Sequence, residues 1–286
     1  MPTAADEAMT AALPARPSFI RGVNLGSTFL PENWMTPSFY DGTGVTTLCE
    51  LVDSDPYEAA LRMMRHLDTF ITASDFAWIS AHGFNTVRVP LGYWNAIGSM
   101  GSRPAYVPIN PAESFKVLDR YFAWARANGL FVMLDLHGAP GSQNGADHSG
   151  CDTMGIRWGA DDSVDRSLEA IDALVQRYGA HRAFLGIELL NEPAWKVEWD
   201  HGQLLDFYTR AEALVHAASP SALVVFNLLY WGAFPEGFGD WWAGQLVGPN
   251  VLLDLHLYDC YGDAQGRTLE GHIAQAHRWR EAITSF

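Results

Sequence analysis

"LGIELLNEPAW", residues 185–195, is an apolar segment that ends in an Asn-Glu pair followed by a proline. A short apolar run bounded by turn residues is typical of a buried strand. Glu192 stands where this strand meets its loop, and a buried carboxylate is costly unless it pairs with other groups or with a ligand. The stretch therefore predicts a buried strand that leads directly into a functional site.

Similar β-rich segments recur along the chain and alternate with helical patterns. The predicted strands are residues 19–25, 85–91, 130–137, 184–191, 222–229 and 251–258. The predicted helices lie near residues 66–82, 113–128, 163–178, 203–218, 238–246 and 269–284. This alternation favours parallel strands that are joined by helical crossovers.

Polar side chains cluster at the carboxyl ends of these strands, as in the pair Asp135 and His137 and the series Asp254, His256 and Tyr258. Residues two apart on a strand face the same way, so each set can point inward. The first strand is not followed by the glycine-rich turn of a nucleotide-binding sheet. The pattern instead predicts a (β/α)₈ TIM barrel of α/β class, incomplete here with about six βα units over residues 19–286, after a disordered lead-in at residues 1–18.

Composition excludes several classes of partner. Eighteen basic and 33 acidic residues give a net charge of −15, which disfavours binding to nucleic acid or to an anionic membrane surface. No apolar run approaches the length of a membrane span, and the N-terminus lacks the form of a secretory signal. The three cysteines contain no C-x-x-C, so one disulfide is possible and a zinc knuckle is not indicated.

The strand-end residues suit cleavage of a glycosidic bond. Retaining hydrolysis uses two carboxyl groups, one as acid/base and one as nucleophile, and Glu192 is the candidate acid, with Asn191 placed to hold a sugar hydroxyl. A rival class is metal catalysis by Asp135, His137, Asp254 and His256 at a barrel mouth. No H-x-H follows the first strand, so we expect no metal and no cofactor.

Six motifs in order resemble glycoside hydrolase family 5, in its exo-β-1,3-glucanase-like branch. They are RGVNLG (21–26), PENWMTPSF (31–39), DFAWISAHGFNTVRVPLGYW (75–94), LDLHGAPGSQNG (134–145), GIELLNEP (186–193) and DLHLY (254–258). The resemblance covers residue 19 to the end of the chain. It implies a β-glucan substrate and glucan 1,3-β-glucosidase or related cellulase-like activity. Localisation stays open, because that family is largely secreted and no signal is read here.

The resemblance also implies a role for individual residues. Glu192 is the acid/base, Asn191 grips the sugar and Arg88 supports the carboxylate of the nucleophile. The remaining matches are sugar-binding residues: Glu32, His137, His256 and Tyr258. Departures from the branch lie at Gly26, Ser27 and Thr28, where many relatives have an aromatic, and at Ala146 before Asp147, where relatives often carry one.

The nucleophile expected at the end of a seventh strand has no match in these residues. Glu270 and Glu281 fall within a predicted helix, and Glu188 lies deeper on the same strand as Glu192, where it would attack poorly. Three explanations stay open: a piece of a longer hydrolase, a short homologue that binds glucan without cleaving it, or an enzyme completed by another chain. Six strands would also leave two open edges, which predicts self-association.

Overall fold

Six parallel strands form one curled sheet, in which neighbours in the chain are neighbours in space. The computed structural model describes residues 16–98, 109–149, 155–194, 201–227, 248, 250–258 and 267–285. The strands are β1 (Gly22–Asn24), β2 (Thr86–Gly92), β3 (Phe131–Gly138), β4 (Phe184–Glu188), β5 (Leu223–Asn227) and β6 (Val251–Asp254). The predicted incomplete TIM-type barrel is confirmed by this order.

Helices connect successive strands. They are α1 (Leu48–Ser54), α2 (Pro56–Thr69), α3 (Ala73–Ala81), α4 (Tyr93–Ile97), α5 (Pro111–Ala127), α6 (Ser163–Tyr178), α7 (His201–Ala218) and α8 (Leu269–Ser285). Two 3₁₀ turns lie at Pro37–Tyr40 and Asp147–Ser149. The helix predicted near residues 238–246 lies outside the described residues.

The single helix predicted near residues 66–82 is wrong, because the chain forms α2 and α3 with a break between them. The carboxylate of Asp75 accepts hydrogen bonds from both the backbone N–H and the hydroxyl of Thr72, each at 2.7 Å. These contacts start a new helix at Ala73. At the other end, Asp55 caps α2 by accepting from the backbone N–H of Glu58 at 2.9 Å, with Pro56 in the first turn.

Three predicted strands are too long. The strand predicted over residues 19–25 contains only Gly22–Asn24. The strand of residues 184–191 ends at Glu188, although the backbone N–H of Asn191 still donates to the carbonyl of Leu136 at 3.1 Å. The strand of residues 251–258 ends at Asp254. Past the ends of β4 and β6 the apolar pattern continues into loop residues that are buried or half-buried as far as Leu257, so hydrophobicity alone could not mark these two boundaries.

The two faces of the sheet bury different groups. The convex face packs on the helices through residues such as Val132, Leu134 and Ile187, which belong to the main core. A second, smaller apolar cluster contains Phe131, Met133, Leu185, Leu223 and Val225. By the period of two, Phe131 and Met133 share a face with Asp135 and His137, so this face is apolar first and polar toward the carboxyl ends of the strands.

Gly186 allows β4 and β5 to lie side by side. A Cβ added at Gly186 would stand 2.0 Å from the carbonyl oxygen of Leu223, which is closer than any real contact. A side chain at this position would therefore push the two strands apart.

The first and last strands form the edges of the described sheet. In the described sheet, β1 pairs only with β2, and β6 pairs only with β5.

Cys49 is disulfide-bonded, and the other cysteines, Cys151 and Cys260, both lie outside the described residues. Among the helices described, none is at once long and apolar enough to cross a bilayer.

Candidate active site

Arg88 links two carboxylates that face each other across the sheet. Asp135 on β3 is in register with Glu188 on β4, and both side chains are almost fully buried. Like charges opposite one another are destabilising, and the Arg88 guanidinium lies 2.9 Å from Asp135 and 2.7 Å from Glu188. One cation therefore serves two buried acids.

Both carboxyl groups are hard to ionise because they are buried, and the single cation they share offsets burial only in part. Burial raises the pKa of Asp135 to about 7 and the pKa of Glu188 to about 6, although Arg88 opposes both shifts. Burial lowers the pKa of Arg88 itself, but the attraction of Asp135 and Glu188 exceeds this and raises it above the ordinary value. The raised pKa of Arg88 and the raised pKa values of the two acids are consistent with one another. The guanidinium is always charged, and the two acids together retain a proton near neutral pH.

The same guanidinium positions two amides at the strand ends. Its Nη2 donates to Oδ1 of Asn191 at 2.9 Å, and its Nη1 donates to Oδ1 of Asn24 at 3.0 Å. The Nδ2 of Asn191 is buried and has no hydrogen-bond partner among the described residues. An unsatisfied amide donor at this place is suited to a ligand hydroxyl.

Glu192 turns back over the strand ends. Its φ is +45°, an uncommon value for a residue other than glycine, and only 6% of the residue is exposed. One carboxylate oxygen contacts Nδ1 of His256, whose Nε2 lies 3.4 Å from Asp254. The carboxylate is therefore held inside the concave face and points toward the end of β6.

Positively charged imidazoles lie next to Glu192. Burial raises its pKa, but the contacts with His148 and His256 outweigh burial and hold the pKa well below its usual range. Burial lowers the pKa of His256, whereas its contacts with Asp254 and Glu192 raise it to about 10. Glu192 is thus a carboxylate next to an imidazolium when no ligand is bound.

Glu32 approaches from the loop after β1. The backbone N–H of Glu32 donates to the hydroxyl of Ser27 at 2.9 Å, and Ser27 itself has a φ of +60°. The indole Nε1 of Trp34 donates to Oε2 of Glu32 at 2.9 Å, while 73% of Trp34 remains exposed. The departure from an aromatic at residues 26–28 therefore supplies a hydroxyl that fixes the loop of Glu32.

His137 lies next to Asp135, and Tyr258 lies near His256. Nδ1 of His137 contacts Oδ2 of Asp135 at 2.7 Å. The His137 pKa is lowered by burial and by the nearby Arg88, so its ring is neutral. Tyr258 is 55% exposed, with its ring 6.1 Å from that of His256.

A comparison with protein families assigns the chain. The family described as cellulase, glycosyl hydrolase family 5, matches residues 52–286. The chain belongs to glycosyl hydrolase family 5. The predicted family is therefore confirmed, and the site described above is the strand-end site of a family 5 chain.

Curated relatives of this family 5 chain share about two-fifths of its residues. It is 40% identical over 264 residues to a probable glucan 1,3-beta-glucosidase A of Emericella nidulans, a match that covers 90% of this chain and 62% of the relative. It is 37% identical over 265 residues to the Aspergillus niger protein of the same name, covering 90% of this chain and 60% of that one. The chain thus spans about three-fifths of the length of these relatives.

Solved structures support the fold. The crystal structure of rutinosidase from Aspergillus niger matches with a TM-score of 0.72 at 19% identity, covering 88% of this chain and 73% of that chain. At this identity the match supports the barrel fold and does not define a substrate.

Three site residues of the family 5 chain were missed by sequence reasoning, although their loop was noted as a motif. The Nε2 of Gln143 donates to the carbonyls of His137 at 2.7 Å and Asn191 at 2.8 Å. Asn144 donates to the carbonyl of Glu192 at 3.1 Å, and His148 lies near Glu192 as well. The available signal was the run of polar residues directly after β3, but the path of a loop has no periodicity to read.

Among the described residues, two triplets bring possible metal-ligand atoms within 4.8 Å of one another: Glu32, Asp147 and His148, and Glu188, Asp254 and His256. Neither is the set Asp135, His137, Asp254 and His256 considered above. Glu32 already accepts from Trp34 and Glu188 already pairs with Arg88, so we assign no metal to either triplet.

Proposed function

We propose that this chain acts as a retaining β-glycoside hydrolase on β-glucans, with Glu192 as acid/base. The observation that carries the proposal is the buried Glu192 carboxylate in contact with His256, beside Asn191, whose amide is oriented by Arg88. This arrangement places a proton-exchanging group and an amide donor at one end of the sheet. Those are the groups that glycosidic cleavage with a 2-hydroxyl contact requires.

The proton for the leaving group is shared between Glu192 and His256. Moving it from the imidazolium to the carboxylate gives a neutral pair. Glu192 then protonates the glycosidic oxygen as the C–O bond breaks and a nucleophile carboxylate, which is not identified in these residues, bonds to the anomeric carbon. In the second half-reaction the Glu192 carboxylate takes a proton from water, whose oxygen bonds to the anomeric carbon and releases the nucleophile carboxylate. Asp254 stabilises the imidazolium form, so the pair returns to its starting state.

The proposed substrate is a glucan with β-1,3 links, as the names of the relatives suggest. Glu32 and His137 are the proposed partners of sugar hydroxyls, and the exposed rings of Trp34 and Tyr258 are suited to the apolar faces of sugar rings. The acidic chain does not repel such a neutral ligand.

Hydrolysis of laminari-oligosaccharides by the protein expressed from its full open reading frame tests this proposal. We expect glucose release with retained β-configuration, a loss of about 10²–10⁴-fold in Glu192→Gln, and normal activity in the surface control Glu212→Gln. Added azide should restore turnover in Glu192→Ala by intercepting the glycosyl-enzyme intermediate. Inverted product or full activity in Glu192→Gln would contradict the proposal.

A non-catalytic glucan-binding protein is the second candidate, and Glu188 is the observation that favours it. Glu188 ends β4, four residues before Glu192. It is 1% exposed and bound to Arg88, so it cannot attack a sugar. Saturable binding of laminari-oligosaccharides with no glucose release, and a stop codon directly after codon 286, would support this candidate. An open frame that encodes a further strand ending in Glu would support the enzyme.

The open edges of the sheet give a further proposal, self-association of the 286-residue chain. β1 and β6 each have one neighbour in the described sheet, and Leu252 on β6 is 40% exposed. Unpaired strand edges with apolar side chains favour edge-to-edge contacts. Light scattering across a concentration series would show a rising mass, whereas a constant monomer mass would oppose the proposal.

A further inference from the structure

His148 stands between two carboxylates that come from different loops. Its Nδ1 lies 3.6 Å from Oε2 of Glu32, and its Nε2 lies 3.5 Å from Oε2 of Glu192. Both distances are longer than a strong hydrogen bond, so each contact is an ion pair that a competing ligand could replace. The His148 side chain is 19% exposed and contacts the carboxylates of both Glu32 and Glu192.

The loop after β3 holds this imidazole in place. The hydroxyl of Ser149 donates to the carbonyl of Ala146 at 2.7 Å and contacts the hydroxyl of Ser142. Oδ1 of Asn144 accepts from the backbone N–H of Ala146 at 2.9 Å, which fixes the Asn144 amide as a donor at its other end. These bonds within the loop orient His148 without help from a ligand.

The contacts of the ring define two protonation states. Nδ2 of Asn144 lies 3.1 Å from Nε2 of His148. In the neutral ring Nε2 accepts from that amide and Nδ1–H faces Glu32. In the charged ring Nε2–H faces Glu192, so protonation shifts the contact from the Asn144 amide to the carboxylate.

The titratable groups around the ring come from four elements. Glu32 lies after β1, His137 on β3 with its ring 5.2 Å away, Asp147 on the same turn, and Glu192 after β4. His256, after β6, acts on the ring through Glu192. Burial lowers the pKa of His148, but its two carboxylate contacts raise it to about 9.

We propose that His148 is a positioning residue that bridges Glu32 and Glu192, so that a sugar bound at Glu32 changes the charge next to the proton donor. The inference rests on the proposed function and deepens it. A hydroxyl that binds Glu32 takes that carboxylate away from the imidazolium, which then loses its proton more easily. A neutral His148 no longer lowers the pKa of Glu192, so the bound sugar converts Glu192 toward its acid form.

The test follows the titration of the Glu192 carboxyl by ¹³C NMR in the 286-residue chain, free and saturated with an S-linked laminaribiose analogue. In the natural sequence we expect the ligand to raise the apparent pKa of Glu192 by about one unit. In His148→Asn the free value should already be higher by about one unit, and the ligand should add little. His148→Gln gives a second variant, and thermal melting verifies that each variant is folded.

His216→Asn is the matched control, because it removes an imidazole that lies 3.6 Å from the carboxylate of Glu212, far along the chain on α7. In this control variant Glu192 should titrate as it does in the natural sequence. Equal Glu192 titrations in His148→Asn and in the control would overturn the bridge. Failure of the saccharide to bind would overturn the proposed function and its coupling to the sugar, while the free-chain comparison would still decide whether His148 acts on Glu192.

Discussion

Replacement of Arg88 by methionine should destabilise the protein severely, because it leaves two buried acids without a cation. Met preserves most of the apolar length of the arginine and removes only the charge and the hydrogen bonds. Removing one partner of a buried ion pair costs about 3–5 kcal/mol of the free energy of unfolding. For a chain of this size that corresponds to a drop of roughly 6–20 °C in Tm.

Arg210→Met is the matched control. Arg210 also contacts two carboxylates, Asp165 at 2.5 Å and Asp206 at 3.5 Å, but these side chains are about half exposed or more. Surface pairs contribute about 0–1 kcal/mol, so this variant should melt within a few degrees of the natural sequence. Urea titration followed by tryptophan fluorescence measures both variants.

The decrease in the free energy of unfolding caused by Arg88→Met should also depend on pH. The folded-state pKa values of Asp135 and Glu188, about 7 and about 6, lie above the values of the unfolded chain. The folded state therefore binds more protons, and the contribution of these groups to stability is present at low pH and lost as pH rises from about 4 to 7. Without Arg88 both folded values move higher, so the gap between variant and natural sequence should widen over this range. An equal, pH-independent loss in the Arg88 and Arg210 variants would refute the reasoning.

Three further substitutions or treatments test other parts of the structure. Gly186→Ala should cost at least about 2 kcal/mol in urea titration, since its Cβ would overlap the backbone of Leu223, and an unchanged midpoint would contradict the strand spacing. Gln143→Leu removes the hydrogen bonds to the carbonyls of His137 and Asn191, so it should lower the free energy of unfolding by about 1–3 kcal/mol and weaken laminaribiose binding measured by calorimetry. Normal stability and normal binding would contradict that role. Dialysis against a chelator should leave saccharide binding intact; loss restored by zinc would support the metal alternative.

Periodic patterns predicted the sheet and the residues at its rim. The alternation of apolar segments placed β2, β3 and β4, and the period of two put Asp135 and His137 on one face. Glu192 was identified because a charged residue beside an apolar strand needs a partner, whereas the role of Arg88 was implied by the family resemblance. These inferences depend only on local sequence, which is why they could be made without coordinates.

Contacts between distant segments could not be read in this way. The pairing of Arg88 with Glu188 depends on the register of three strands, and a one-residue shift would have reversed the facing of every side chain. The place of His148 depends on the path of an irregular loop. The break at Phe70 between α2 and α3 was missed because the capping contact of Thr72 and Asp75 outweighs a continuous helical pattern.

The backbone at Glu192 shows that this position is shaped for its side chain rather than for stability. A φ of +45° costs about 1 kcal/mol or more for any residue with a Cβ, and glycine escapes this cost. Glu192→Ala and Glu192→Gly lose the same contacts with His256, so the difference between them isolates the backbone. We expect the glycine variant to be at least as stable as the alanine variant.

At an ordinary helical position the order should reverse. Glu212 lies within α7, where glycine is about 1 kcal/mol less favourable than alanine, so Glu212→Gly should unfold more easily than Glu212→Ala. Chemical denaturation of the four variants measures both differences. If glycine were as unfavourable at residue 192 as at residue 212, the left-handed turn would carry no strain. The Glu192 carboxylate would then reach His256 at no cost to the fold, and the backbone would give no sign that this position favours its side chain over stability.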